Sequence, residues 1–226
     1  MTQKQILVVA AHPDDEILGC GGTIAKLSAT NQVFTIVLGE GVTSRDKHRD
    51  RNKRKEELGV LKKSMSDANK LLGVQQLFSF DLPDNRFDSI DLIDITKIIE
   101  DVIDKVHPQC VFTHFGNDLN IDHQLTFQAV LTATRPLPTQ SVTEVYAFET
   151  TSSTEFNFPL SFSPDTFSTI TDTLETKLAA LACYTSEMRE FPHPRSLEMV
   201  KQTAQYWGVR VGVPSAEAFK TIRKVW

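Results

Sequence analysis

An uninterrupted apolar run, Ile6-Leu7-Val8-Val9-Ala10-Ala11, stops abruptly at His12-Pro13-Asp14-Asp15-Glu16. A short run of this kind reads as a strand buried on both faces, as in parallel sheets covered by helices. Parallel neighbours need crossover connections, usually helices, so this one segment constrains the whole topology. It also places the polar residues, because open α/β sheets bind ligands beyond the carboxyl ends of their strands. One imidazole and three carboxylates in succession concentrate negative charge there. A divalent cation is the simplest compensation.

The rest of the first half keeps the rhythm. Leu18 to Ala29 reads as a helix, Val33 to Leu38 as a strand and Arg49 to Leu72 as a long charged helix ending at Gly73. Gln75 to Phe80 reads as a third strand. Leu92, Ile95, Ile99, Val102 and Val106 recur at helical spacing and stop at Pro108. Cys110 to His114 is a predicted strand, Ile121 to Thr134 a helix and Thr143 to Phe148 a fifth strand. The alternation predicts a Rossmann-like three-layer α/β/α fold with a mostly parallel sheet. From 150 to 164 the chain is rich in Ser, Thr, Phe and Pro, and reads as a functional loop or a short β excursion. Leu174 to Tyr184 and Leu197 to Tyr206 read as closing helices around Phe191-Pro192-His193-Pro194. The 226 residues are expected to form one domain.

Composition narrows the function classes. A formal net charge of -5 offers no overall attraction to nucleic acid or an anionic membrane, and neither partner is expected. No apolar stretch approaches spanning length, so no stable membrane insertion is expected. Cys20, Cys110 and Cys183 are odd in number and widely spaced, which argues against a disulfide framework. A cytoplasmic location is the corresponding expectation; a homo-oligomer stays open. Gly19-Cys20-Gly21-Gly22 lacks the G-x-G-x-x-G spacing and reads as close helix packing rather than a dinucleotide site. Arg45 to Lys55 is strongly basic and reads first as a solvated helix face. The alternative is that Arg45 reaches a substrate phosphate or carboxylate. Asp84, in Leu82-Pro83-Asp84-Asn85, either contacts substrate hydroxyls or initiates a turn.

A second polar cluster, His114-Phe115-Gly116-Asn117-Asp118-Leu119-Asn120-Ile121-Asp122-His123, closes the fourth predicted strand. First and fourth strands often flank the switch point of a doubly wound sheet, so both clusters would face one crevice. His12, Asp15 and His123 then supply two imidazoles and one carboxylate, with a position left open for water, which is the donor set of a catalytic zinc. Fe²⁺ or another divalent ion suits the same donors. Neighbouring side chains diverge, so Asp14 is free to act as general base while Asp15 binds the ion. Singly, His12 reads equally as a core histidine, Asp14 to Glu16 as an acidic first helical turn and Asp122 as a helix cap.

Ala11-His12-Pro13-Asp14-Asp15-Glu16, with Asn120-Ile121-Asp122-His123, resembles the PIG-L/LmbE family of zinc-dependent deacetylases. Arg54-Lys55-Glu56-Glu57, Leu72-Gly73-Val74 and Leu82-Pro83-Asp84 extend the resemblance. It implies hydrolysis of an N-acetyl group from an amino sugar, with His12, Asp15 and His123 on zinc and Asp14 as base. The substrate is free, nucleotide-linked or lipid-linked. Many relatives carry His where this chain has Asn120, and that His, helped by the neighbouring Asp, is thought to stabilise the transition state. Asn120 donates a hydrogen bond but carries no charge, so Asn120 and Asp122 are candidates of altered role. Protonated Asp14 is the economical proton donor for the leaving amine, with His193 and His114 as the other candidates; His193 is also a candidate for substrate binding. Two alternatives share the motif: a metal-dependent amidase on a non-sugar N-acyl compound, and a metal-retaining binding protein of degenerate activity.

Overall fold

The computed structural model describes residues 3–225. Its elements are β1 (Gln5–Ala10), α1 (Asp15–Ser28), β2 (Gln32–Gly39), α2 (Lys55–Leu71), β3 (Gln76–Leu82), α3 (Leu92–Val106) and β4 (Cys110–His114). They continue with α4 (Ile121–Ala133), β5 (Glu144–Phe148), β6 (Thr166–Thr169), α5 (Leu174–Ala182), α6 (Leu197–Arg210) and β7 (Ala216–Lys224). The strands form a seven-stranded sheet in the order β3-β2-β1-β4-β5-β7-β6. The first five run parallel, and β7 and β6 close one edge antiparallel. This is the α/β fold read from the sequence.

Strand periodicity explains the layers. Along β1, Ile6 and Val8 point to one face and join a buried apolar cluster that includes Leu61 and Met65 of α2 and Leu181 of α5. Leu7 and Val9 point to the other face and join a second cluster that includes Ile95 and Ile99 of α3 and Val130 of α4. Both faces are covered, so β1 shows no polar alternation. After β1 the chain winds outward through β2 and β3, then returns to place β4 on the other side of β1, with Val9 opposite Thr113. The crevice between the ends of β1 and β4 is the switch point at which such sheets bind ligands.

Helix α1 seals the crevice from one side. Cys20 breaks its backbone geometry (φ -147°, ψ 25°). Buried Glu217 of β7 accepts the freed Gly22 and Thr23 N–H groups at 2.9 and 2.7 Å. Lys177 of α5 donates to the Leu18 carbonyl at 2.9 Å and to Glu217 at 2.6 Å. One buried ion pair thus satisfies both ends of the break. A β-carbon at Gly19 would collide with the Phe148 ring, so glycine is what lets α1 reach the sheet.

Three sequence expectations are corrected. The helix expected from Arg49 begins only at Lys55, because the basic residues before it pair with Glu40 and with Asp46 of the same run. Arg49 donates to Glu40 at 2.7 Å, Arg51 to Glu40 at 2.9 Å and Arg54 to Asp46 at 2.6 Å. The run is therefore a pinned loop rather than a solvated helix face. Helix α1 starts at Asp15, not Leu18, so Asp15 and Glu16 do occupy an acidic first turn. Finally, β6 and β7 complete the sheet from the tail. Glu217 lies buried in β7, paired with Lys177 of α5, and its charge hides that strand from a hydrophobicity reading.

Candidate active site

The site begins with the turn after β1. Asp14 has φ 97°, in the left-handed region that strains an L-residue. Its N–H donates to Glu16 Oε2 at 3.1 Å, and its carbonyl accepts from Ile17 and Leu18 at 3.0 and 2.9 Å. Glu16 is itself held by Asn69 at 2.9 Å and the Tyr184 hydroxyl at 2.8 Å, and burial pushes its carboxyl up to about 7. The His12 N–H donates to Asp15 Oδ2 at 2.9 Å, folding that carboxylate back over the turn. Adjacent Asp14 and Asp15 consequently face different ways.

His12, Asp15 and His123 meet. Asp15 Oδ2 lies 3.2 Å from His12 Nδ1 and 3.2 Å from His123 Nε2, and the two nitrogens are 3.3 Å apart. Each outer ring nitrogen has a carboxylate partner: Asp122 for His12 Nε2 at 2.9 Å, Asp118 for His123 Nδ1 at 3.1 Å. These bonds turn the inner nitrogens toward Asp15, the arrangement that supports metal-binding imidazoles. Burial alone would lower both histidines. Instead, the Asp122 and Asp15 hydrogen bonds hold His12 well above its usual range, and the nearby Asp15 and Asp118 raise His123 to about 9. Asp15 is held well below the usual carboxylate range despite burial, by His123 and His12. The pocket thus demands positive charge where three donor atoms converge. A divalent ion fits that demand and displaces the protons.

Asp14 keeps its carboxylate on the cavity. Burial, and then the charge on Asp15, push its pKa well above the usual range. The cavity, about 290 Å³, opens over the three donors and is also lined by Arg45, Asp84 and Asn120. Asp84 accepts from the Ser44 hydroxyl at 2.6 Å and the Ser44 N–H at 3.0 Å. Arg45 lies against Glu187, with Nη2 at 2.7 and 3.0 Å from its two oxygens. Asn120 caps α4, its side-chain oxygen accepting from the Asp122 N–H at 2.8 Å while its amide donates to Asn85 at 2.8 Å. Asp122, read alternatively as that cap, instead lies buried behind His12 and also accepts from the Phe87 N–H at 2.9 Å.

The structure does not bring His193 to the cavity wall. Its Nδ1 accepts from the Arg195 N–H at 3.1 Å, and Arg195 takes the wall position instead. His114 is buried beneath His123, with ring centroids 4.0 Å apart. Its Nε2 accepts from the Ala11 N–H at 2.9 Å, so Nδ1 carries the proton and donates to Thr150. Burial holds it well below the usual histidine range, which suits a packing role rather than proton donation.

Sequence reasoning missed Asp118, Arg195 and Glu187. Asp118 had a usable signal, a carboxylate within the second cluster, since metal-binding histidines take such partners. It also accepts from Ser153 and from Thr154. Arg195 and Glu187 arrive from the α5–α6 connection, about which nothing local in the sequence is informative.

The sequence profile of the PIG-L family, described as GlcNAc-PI de-N-acetylase, matches residues 7–134. The chain belongs to this family. It is 30% identical over 186 residues to an uncharacterized deacetylase, YaiS, of Escherichia coli K12, covering 79% of this chain and 89% of that one. It is 26% identical over 188 residues to a probable N-acetyl-alpha-D-glucosaminyl L-malate deacetylase 2 of Bacillus cereus, covering 82% and 84%. Among solved structures, the N,N'-diacetylchitobiose deacetylase of Pyrococcus horikoshii superposes with a TM-score of 0.77 at 21% identity, covering 97% of this chain and 84% of that one. GalB of Pseudomonas putida KT2440, a 4-carboxy-2-hydroxymuconate hydratase, gives 0.80 at 21% identity, covering 99% and 98%. The fold therefore serves more than one reaction, and the choice between them belongs to the site.

Proposed function

We propose that the chain is a divalent-metal-dependent N-deacetylase acting on an N-acetylated amino sugar or its conjugate, free, nucleotide-linked or lipid-linked. The observation that carries this reading is the convergence of His12 Nδ1, Asp15 Oδ2 and His123 Nε2 within 3.3 Å beneath an open cavity walled by Asp14. Two imidazoles and one carboxylate suit Zn²⁺ first and Fe²⁺ second. Deacetylases among the relatives favour amide hydrolysis over the hydratase chemistry of GalB. Two buried free thiols, Cys20 and Cys110, support the cytoplasmic reading.

An ion held there would lower the pKa of a bound water from ~15.7 toward ~7 and polarise the acetamide carbonyl. Asp14 accepts the proton of the attacking water and returns it to the departing nitrogen, which balances the hydrolysis to acetate and a free amine. Asp122 and Asp118 act through His12 and His123 as positioning residues. Asn120 offers a neutral hydrogen-bond group to the cavity, and Asp84 with Ser44 receives sugar hydroxyls. Arg45 anchors Glu187, and His193 fixes the backbone that carries Arg195.

The test is acetate release from N-acetylglucosamine, its nucleotide-linked form and a non-sugar N-acetyl amine. It is run before and after chelation and after return of Zn²⁺ or Fe²⁺. Sugar deacetylation that stops on chelation and returns with the ion is expected. Asp14→Asn should keep the ion and lose roughly 10²–10⁴-fold in turnover. Chelator-insensitive release, or full activity in Asp14→Asn, would overturn the assignment.

A further inference from the structure

Asp14 lies in the left-handed region, where an L-residue persists only if its surroundings over-determine it. Part of that restraint is local, the Asp14 carbonyl accepting from Ile17 and Leu18. Its N–H is restrained from further away. Glu16 Oε2 accepts that N–H at 3.1 Å, and Glu16 Oε1 accepts two donors from distant segments. One is the Asn69 amide of α2 at 2.9 Å, the other the Tyr184 hydroxyl at 2.8 Å. Asn69 is aimed in turn. Its side-chain oxygen accepts from the Thr35 hydroxyl of β2 at 2.8 Å, and its nitrogen also donates to the Met65 carbonyl at 2.9 Å. Thr35, Asn69, Glu16 and Tyr184 are all buried.

Stability alone does not account for this chain of polar groups. Tyr184 belongs to an apolar cluster with Ile17, Leu61 and Met65. Apolar residues of the same shape in place of both partners of a buried hydrogen bond are often nearly neutral or stabilising. What they do not supply is direction. A carboxylate held at Oε1 presents Oε2 at one place and angle, and that fixes the orientation of the Asp14 peptide. Tyr184 has a second link to the site. It opens the α5–α6 connection, its carbonyl accepting from the Glu187 and Met188 N–H groups at 2.9 and 3.1 Å. Further along that connection, Arg195 Nη1 lies 3.4 Å from Asp14 Oδ2. The residue that restrains the Asp14 backbone therefore also starts the loop that meets its carboxylate.

We infer that Tyr184 and Asn69 are positioning residues, which act through Glu16 to hold the Asp14 peptide so that its carboxylate faces the cavity. The consequence for turnover rests on the deacetylase reading above; the restraint of the Asp14 backbone does not. Loss of either donor lets Glu16 turn, and a reacting group misplaced by about 1 Å costs on the order of 10²-fold in rate.

Tyr184→Phe keeps the ring and deletes the hydroxyl, and Asn69→Ala removes the other donor. In Zn²⁺-loaded protein each should lower kcat for N-acetylglucosamine or its nucleotide-linked form roughly 10–100-fold, with KM and Zn²⁺ affinity unchanged. Beside Asp14→Asn the same changes should cost nothing more, because no carboxylate is left to aim. A role in stability alone would lower Tm without splitting kcat from KM. Residue-resolved amide exchange gives a reading that needs no turnover. The Asp14 N–H should exchange roughly tenfold faster in Tyr184→Phe, while the Leu7 and Val9 amides of β1 keep their rates. Faster Asp14 exchange in a protein that releases no acetate keeps the restraint and removes the deacetylase reading. In an active protein, unchanged kcat in both variants, or a loss that persists in full beside Asp14→Asn, overturns the positioning role and leaves the deacetylase reading standing. Unchanged Asp14 exchange in both variants overturns it whatever the activity.

Discussion

Asp14 takes a backbone conformation that costs an L-residue on the order of 1–3 kcal/mol, and the turn around it supplies the compensating bonds. Strain at this residue separates Asp14 from Asp15, so that one carboxylate meets the histidines and the other meets the cavity. The same division extends one layer out. Asp118 is fully buried, yet it fixes His123 through Nδ1 and is held in turn by Ser153 and Thr154. Asp118→Asn should therefore weaken Zn²⁺ binding about 10–100-fold while the protein stays folded. Competition with a chromogenic chelator reads this directly, and an unchanged Zn²⁺ affinity would deny Asp118 its positioning role. At this scale much of the site was legible: His12, Asp14, Asp15 and His123 announce themselves by clustering at predicted strand ends. His193 was misplaced because Phe191-Pro192-His193-Pro194 and Arg195 lie on one loop, and spacing does not tell which side chain turns inward.

Helix α1 shows how an element is shaped by partners distant in the chain. Its break at Cys20 frees backbone groups that Lys177 and Glu217 satisfy from α5 and β7. Removing the cation alone leaves Glu217 charged and buried. Lys177→Met is expected to lose about 3–5 kcal/mol of stability in urea unfolding. Adding Glu217→Gln should recover part of the loss, because the amide oxygen still accepts one of the two N–H groups. A loss below roughly 0.5 kcal/mol for the single variant would mean that the pair is not what holds the break. The Gly19-Cys20-Gly21-Gly22 run signalled close packing, and the Phe148 ring against Gly19 is that packing. Where the helix breaks could not be read, since the groups that tolerate the break lie more than a hundred residues away. The onset of α2 was missed for a related reason: ion pairs to Glu40 and Asp46 pin Arg49, Arg51 and Arg54 outside the helix.

Across the whole molecule, the donors for one ion come from two places, the turn after β1 and the start of α4. An ion bound there stabilises the native state alone, because the unfolded chain does not hold these groups together. At free Zn²⁺ of 100 times Kd the gain is about 2.7 kcal/mol. For a chain of this length that corresponds to a rise in Tm of roughly 5–10 °C. Scanning calorimetry with and without chelator checks it, and a Tm indifferent to both would show that the three donors hold no ion. Among the described residues, no helix is long and apolar enough to cross a membrane. The sheet order was legible in outline because β1, β2, β4 and β5 are buried along nearly their whole length, while β3 alternates at the edge. The antiparallel edge was not, since in β7 buried Glu217 interrupts the apolar pattern.

Local patterning was enough for the α/β class, the parallel centre of the sheet and the polar clusters at the ends of β1 and β4. These follow from local periodicity and from where apolar runs stop, which neighbouring residues carry with them. The sequence by itself also determined the donor types, since imidazole and carboxylate chemistry does not depend on the fold. Only the tertiary structure decided that His12 Nδ1 and His123 Nε2 turn inward, that Asp122 and Asp118 stand behind them, and that Arg195 rather than His193 faces Asp14. Those outcomes depend on which distant groups satisfy each buried polar atom, and that pairing exists only once the chain has closed. The apolar run into His12-Pro13-Asp14-Asp15-Glu16 fixes where the polar cluster sits; the loops that meet above it line the cavity.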